Sequence, residues 1–203
     1  MVDTKPDYKS PHVEERFYAK AVPKHGIGEI LRIEHIVKNA EKYYDQVGVV
    51  AGWARTLRNA GGNTIIFIEL NDGSALDSLQ VVVNQAMPNF EEVSKNTAGA
   101  SFRIKGRFIK SPAQGQAIEV QVDDAENHYV KVVGPVLESE TYPMAKKGHT
   151  LEYLREIAHL RPRSKYVSAM IRIRNSLAQA THIFFQSNGF LNIHTPIVTA
   201  SDC

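Results

Sequence analysis

The stretch Val47–Asn84, VGVVAGWARTLRNAGGNTIIFIELNDGSALDSLQVVVN, decides the fold. It holds three short apolar runs, 47–54, 64–70 and 79–83, separated by polar, turn-rich segments. Gly61-Gly62-Asn63 and Asn71-Asp72-Gly73 tolerate positive φ, so both connections read as hairpins. Thr64–Leu70 and Leu79–Val83 are rich in β-branched residues, which suit a pleated, half-buried surface. Three consecutive hairpin-linked strands begin a small barrel or sandwich.

Working outward, Pro88–Gly99 reads as a connection with a short helix over 90–95. Ser101–Ile109 alternates, with Phe102, Ile104, Gly106 and Phe108 inward and Arg103, Lys105 and Arg107 outward. Ser111–Gln116 is a turn. Ala117–Val122 alternates again, placing Ile118, Val120 and Val122 inward and Glu119 and Gln121 outward. Tyr129–Val136 is a last short run. The order β-β-β-α-β-β predicts an all-β, five-stranded OB-fold barrel. A generic antiparallel sandwich is the competing architecture, and a helix after the third strand argues against it.

Before the first strand, Ile30, Ile33, Ile36 and Val37 recur at helical spacing through about Tyr44, predicting a short helix that caps one end of the barrel. Residues 1–28 contain Pro6, Pro11 and Pro23 with many charges and no periodicity, and predict a flexible or surface-hugging arm. After the barrel, Glu138–Gly148 has linker composition. Thr150 caps a helix over Leu151–Ile157, Arg161-Pro162-Arg163 breaks it, and Ser164 caps a long helix. In that helix Val167, Met170, Ile171, Leu177, Ala178, Thr181, Phe184 and Phe185 form one stripe, ended by Gly189. Phe190–Val198 is expected to be an extended strand, with Pro196 at an edge or a strand start. The expected division is an arm over 1–28, the barrel over 29–137, a linker and hinge over 138–164, and the start of an α+β domain over 165–203.

Composition narrows the classes. The 203 residues hold 24 basic and 22 acidic side chains, a net charge of +2, so any nucleic-acid patch must be local. Cys203 is the only cysteine, which excludes intrachain disulfides and Cys-based zinc sites, and the eight histidines lack paired ligand spacing. No apolar run approaches the ~20 residues of a membrane helix. The N-terminus lacks a secretory h-region and a transit-peptide pattern, so a reducing, cytoplasmic compartment is expected.

Chemistry is sparse. Phe67 shares a face with Ile65 and Glu69, and Gln80 shares one with Val82 and Asn84. An outward aromatic beside an edge-reading Gln, with Arg58 in the preceding loop, makes a base pocket. The other reading makes Phe67 core and Gln80 a solvated strand residue. Arg103, Lys105 and Arg107 suit phosphates equally as well as a solvated face. Arg161 and Arg163 read as phosphate contacts or as a rigid junction around Pro162. Arg174 interrupts the apolar stripe, as at an interface or a buried ion pair. No nucleophile–base pair, carboxylate pair or Gly-rich phosphate loop is present.

Gly52-Trp53, Arg55, Arg58, Gly61-Gly62, Phe67-Ile68, Asn71-Asp72-Gly73 and Leu79-Gln80-Val81 resemble the anticodon-binding OB domain of class IIb aminoacyl-tRNA synthetases. Tyr142-Pro143, Lys146-Lys147, His149, Glu152-Tyr153-Leu154-Arg155 and His159-Leu160-Arg161-Pro162-Arg163 resemble the hinge of its asparaginyl-tRNA synthetase branch. The aspartyl and lysyl branches carry a different run there. Gly189-Phe190 and Thr195-Pro196-Ile197-Val198 resemble class II motif 1, and Ser201-Asp202-Cys203 the segment after it.

The resemblance implies an asparagine–tRNA ligase that uses ATP and Mg2+ to form asparaginyl-adenylate and transfers asparagine to tRNA-Asn. It implies anticodon contacts at Phe67 (stacking), Gln80 (base edge) and Glu119 (first anticodon base), with Arg58 as helper and Arg103 as a further candidate. It places Gly189, Phe190 and Pro196 at a homodimer interface. Motifs 2 and 3, with the ATP-binding arginines, would lie beyond residue 203. These residues are therefore expected to be an N-terminal fragment with an incomplete class II catalytic domain, binding neither ATP nor Mg2+ and unable to activate asparagine alone. The alternative is a stand-alone single-stranded nucleic-acid-binding OB module without catalysis.

Overall fold

The computed structural model describes residues 26–27, 29–144 and 148–198. The expected arm lies almost wholly outside them, as do Lys146-Lys147 and Ser201–Cys203. The chain divides into two compact units, one over Val22–Lys165 and a second that includes Tyr166–Cys203.

The first unit is a closed barrel. Its strands are β1 (Gly26–Ile27), β2 (Ile30–Leu31), β3 (Val47–Ala60), β4 (Ile65–Asn71), β5 (Leu79–Asn84), β6 (Ser101–Lys110), β7 (Ile118–Val122) and β8 (Tyr129–Gly134). They run in the order β1-β2-β3-β4-β5-β7-β6-β8, and an added β3–β6 pairing closes β3 to β7 into the five-stranded OB ring. All barrel pairs are antiparallel except β5–β7, which is parallel. At the closure Gly48 of β3 stands opposite Gly106 of β6. A Cβ on Gly48 would meet the Phe108 ring at 2.7 Å, and one on Gly106 the Gln121 carbonyl at 2.6 Å. Two facing glycines let the strands coil tightly enough to join.

Alternation fills the barrel as expected. Ile66, Ile68 and Leu70 of β4, Leu79, Val81 and Val83 of β5, Phe102, Ile104 and Phe108 of β6, and Val120 and Val122 of β7 are buried in one cluster. Two boundaries differ from the sequence reading. β3 runs on to Ala60, because hairpin pairing with β4 carries the polar stretch 55–60 along as strand, with a register shift between Ala54 and Thr56. Arg58 is thus a strand residue and not a loop residue. Ile30 lies in β2, paired with Val49, outside the helix assigned to it.

Helix α1 (Ile33–Lys38) buries Ile33 and Ile36 fully against the barrel. Its own N-cap residue, Arg32, supplies no side-chain cap. The β4–β5 loop does so instead: Asp72 Oδ2 accepts from Ile33 N at 3.0 Å and Ser74 Oγ accepts from Glu34 N at 2.9 Å. Helix α2 (Phe90–Ser94) follows β5 and buries Val93. Helix α3 (Leu151–Glu156) begins at Thr150, whose hydroxyl accepts from Tyr153 N at 3.2 Å.

The second unit takes in the long helix α4 (Lys165–Ser187) from its second residue onward and the segment after it. Gly189, at φ 85°, ends it: Phe190 N donates to Phe185 O and Gly189 N to Gln186 O, both at 3.1 Å. Phe185 packs edge-on against Phe184 and Phe190. The expected strand over Phe190–Val198 does not form, and Ile197 is 96% exposed. A strand is defined by its hydrogen-bonding neighbour, and among the described residues none pairs with this segment.

Candidate nucleic-acid interface

The outward face of β3, β4, β5 and β7 collects the residues that the alternation singles out. Arg58 pairs with Phe67, Phe67 with Val82, Glu69 with Gln80, and Gln80 with Glu119. Arg58, Phe67, Gln80 and Glu119 therefore cross four adjacent strands on one side of the sheet. Phe67 is half-buried and takes no part in the core cluster, so it is not a core side chain. The Arg58 guanidinium lies over its ring at 4.6 Å from the centroid. A cation above a π-face restrains the plane of the ring and sets a positive charge beside it.

Glu119 departs from a simple outward residue. Alternation directs it away from the core, yet it is only 5% exposed, because the β6–β7 hairpin folds over it. Its Oε2 accepts from Gln80 Nε2 (3.1 Å), Ser111 Oγ (3.0 Å) and Gln116 Nε2 (3.1 Å), and Gln116 Nε2 also donates to Ser111 Oγ at 2.7 Å. A polar group so enclosed is tolerable only because donors surround it. The sequence reading missed Ser111 and Gln116. The signal was a polar turn directly before an outward carboxylate.

Arg103 is not part of this group. It pairs with Ala51 and Lys131, six residues along β6 from Ile109, the neighbour of Glu119. At ~3.4 Å per residue that is roughly 20 Å along the strand. Its guanidinium forms a salt bridge with Glu29. Arg163 packs on the barrel. Its guanidinium sits 4.4 Å from the centroid of Trp53, and its carbonyl accepts from Arg55 Nη2 at 2.8 Å. Tyr142 lies against Gly99 in the same unit. Burial pushes its phenol above the ordinary 10.0, opposed by the charges of Arg163 and Arg55. In α4, Arg174 is exposed and not in a buried ion pair, and Met170, Ile171, Leu177, Phe184 and Phe185 are exposed too. Among the described residues no group of three or more metal-ligating side chains gathers, and no helix is long and apolar enough to cross a membrane.

Residues 49–127 match the family model described as an OB-fold nucleic acid binding domain. The chain is 45% identical over 172 residues to an asparagine–tRNA ligase of Cytophaga hutchinsonii, covering 85% of this chain and 35% of that one. It is 47% identical over 171 residues to an asparagine–tRNA ligase of Desulfotalea psychrophila, covering 84% and 36%. It thus spans about a third of the length of these relatives. Its fold resembles the asparaginyl-tRNA synthetase of Pyrococcus horikoshii, solved with asparaginyl-adenylate, at TM-score 0.69 and 20% identity over 84% of this chain and 37% of that one. It also resembles an aspartyl-tRNA synthetase of Entamoeba histolytica at TM-score 0.65 and 16% identity, over 98% and 42%.

Proposed function

We propose, for a chain that corresponds to the N-terminal part of the asparaginyl-tRNA synthetases, that its barrel binds the anticodon of tRNA-Asn within an ATP-dependent asparagine–tRNA ligase. The carrying observation is the alignment of Phe67, Gln80 and Glu119 on one outward sheet face. Phe67 offers a stacking platform for a splayed base, Gln80 an amide for a base edge, and Glu119 an acceptor for the first anticodon base. Arg58 braces Phe67 and meets the backbone. Arg103, already paired to Glu29, is a weaker participant.

The whole enzyme would activate asparagine with ATP and Mg2+, form asparaginyl-adenylate with release of pyrophosphate, and pass asparagine to the tRNA 3′ end. Residues 29–137 would be the anticodon domain, 138–164 the hinge, and 165–203 the start of the catalytic domain, with 1–28 as an arm. The exposed apolar stripe of α4, with Gly189, Phe190 and Pro196, supports a homodimer contact, since such a stripe in water seeks a partner. A cytoplasmic location follows from that role in translation.

The test is binding of this chain to tRNA-Asn and to an anticodon-substituted copy at two salt concentrations. Preference for the native anticodon, lost in Gln80→Ala, is the expected result. Equal and steeply salt-dependent binding to both would mean that only phosphates are sensed, and the stand-alone nucleic-acid-binding module would then be the better reading.

A further inference from the structure

Three donors converge on one oxygen of Glu119 and leave the other alone. Gln80, Ser111 and Gln116 all reach Oε2 at 3.0–3.1 Å, and among the described residues no hydrogen bond reaches Oε1. The side chain as a whole is 5% exposed, so little of its surface is left for a group from outside. Ser111 and Gln116 are themselves linked at 2.7 Å, and Ser111 Oγ also accepts from Ala113 N at 3.2 Å, which ties the hairpin tip into the same network.

We propose that Ser111 and Gln116 are positioning residues for base recognition, pinning Oε2 so that Oε1 alone is presented to the first anticodon base. This rests on the anticodon reading above. A free glutamate samples several rotamers, and ordering it on binding costs affinity, whereas one held in advance does not incur that cost. Enclosure under the hairpin also lowers the local dielectric, which strengthens a hydrogen bond to Oε1 and raises the penalty for a mismatched group. A lone acceptor oxygen selects a base that offers an amino or imino N–H there. It rejects one that offers a carbonyl oxygen, because two acceptors would meet with no proton between them.

The experiment measures dissociation constants of the full chain for the anticodon stem-loop of tRNA-Asn and for copies substituted at the first or at the second anticodon base. Ser111→Ala, Gln116→Leu and Ser111→Thr are compared with the unsubstituted chain. Expected is a roughly tenfold fall in first-base discrimination for Ser111→Ala and Gln116→Leu, with second-base discrimination within about twofold of the original. Ser111→Thr keeps the hydroxyl and should restore discrimination. Both residues lie on a surface hairpin outside the core, so the second-base ratio also serves as a folding control. First-base discrimination unchanged in Ser111→Ala and Gln116→Leu would overturn the inference and leave the anticodon reading standing. Equal loss at both bases would overturn it as well, marking the hairpin as scaffold. No discrimination by the unsubstituted chain would overturn the anticodon reading itself.

Discussion

Replacing Phe67 by alanine separates recognition from stability. Phe67 is half-buried on the outward face, touches Arg58 at 4.6 Å and is absent from the core cluster. Its removal deletes one stacking platform, worth ~1–3 kcal/mol per base, or roughly 5- to 150-fold in dissociation constant. The folded state loses the cation–π contact, ~0.5–1 kcal/mol, and part of the ~1.5–3 kcal/mol that full burial of such a side chain contributes, which stays below the cost of truncating a core phenylalanine. Phe108 is the internal comparison, since it is fully buried and its truncation should cost ~3–5 kcal/mol of stability. The assay is titration of an anticodon stem-loop RNA at fixed salt, with thermal melting of both variants. Binding by Phe67→Ala within about twofold of the original, or a melting loss as large as that of Phe108→Ala, would refute the assignment.

Gly52→Ala should lower the melting temperature, because the new Cβ would lie 2.6 Å from the Asn71 carbonyl oxygen and 2.8 Å from its carbon, both rigid backbone. Overpacking of this kind costs ~1–3 kcal/mol, and unchanged melting would contradict it. Trp53 is the only tryptophan, so its emission reports directly on the junction beneath Arg163. Arg163→Ala should red-shift that emission and raise its quenching by acrylamide, and identical spectra would show that the stack does not persist in solution. Burial raises the Tyr142 phenol above 10.0, so the folded chain keeps its proton after the unfolded chain has lost it. This contribution is intact below about pH 10 and declines as pH rises from there through the folded value. Tyr142→Phe should flatten the alkaline fall in melting temperature, and an unaltered slope would exclude it.

The strands β6 and β7 were legible because apolar and polar residues alternate along them, and β4 and β5 because β-branched runs are bounded by turn residues; the inward positions of all four are buried. Strand parity put Phe67 with Glu69, Gln80 with Val82 and Glu119 with Gln121, and the strand pairing then brings Phe67, Gln80 and Glu119 to one face. What it could not find was anything fixed by a partner distant in sequence. Arg55–Ala60 has no apolar run and becomes strand only because β4 lies beside it. Glu119 reads as outward, and its enclosure depends on how a hairpin folds back. Arg103 and Lys105 look equivalent on the strand until Glu29 claims one of them. Phe190–Val198 has strand composition, but composition does not supply the neighbour that makes a strand.

The cap on α1 reaches across 39 residues, from Ile33 to Asp72. A six-residue helix does not persist in water without help. During synthesis the ribosome releases the α1 segment first, and the carboxylate that receives its first amide emerges only after β4 has been made. At ~5–20 residues per second, this leaves the helix without its cap for roughly 2 to 8 seconds. Its earliest apolar residues, Ile33 and Ile36, stay uncovered through that interval. The order of emergence makes the β4–β5 loop the first support to reach α1, while β6 and β7, which close the barrel over Ile33 and Ile36, follow it, and a chain halted between the two would expose a capped but uncovered helix to chaperones.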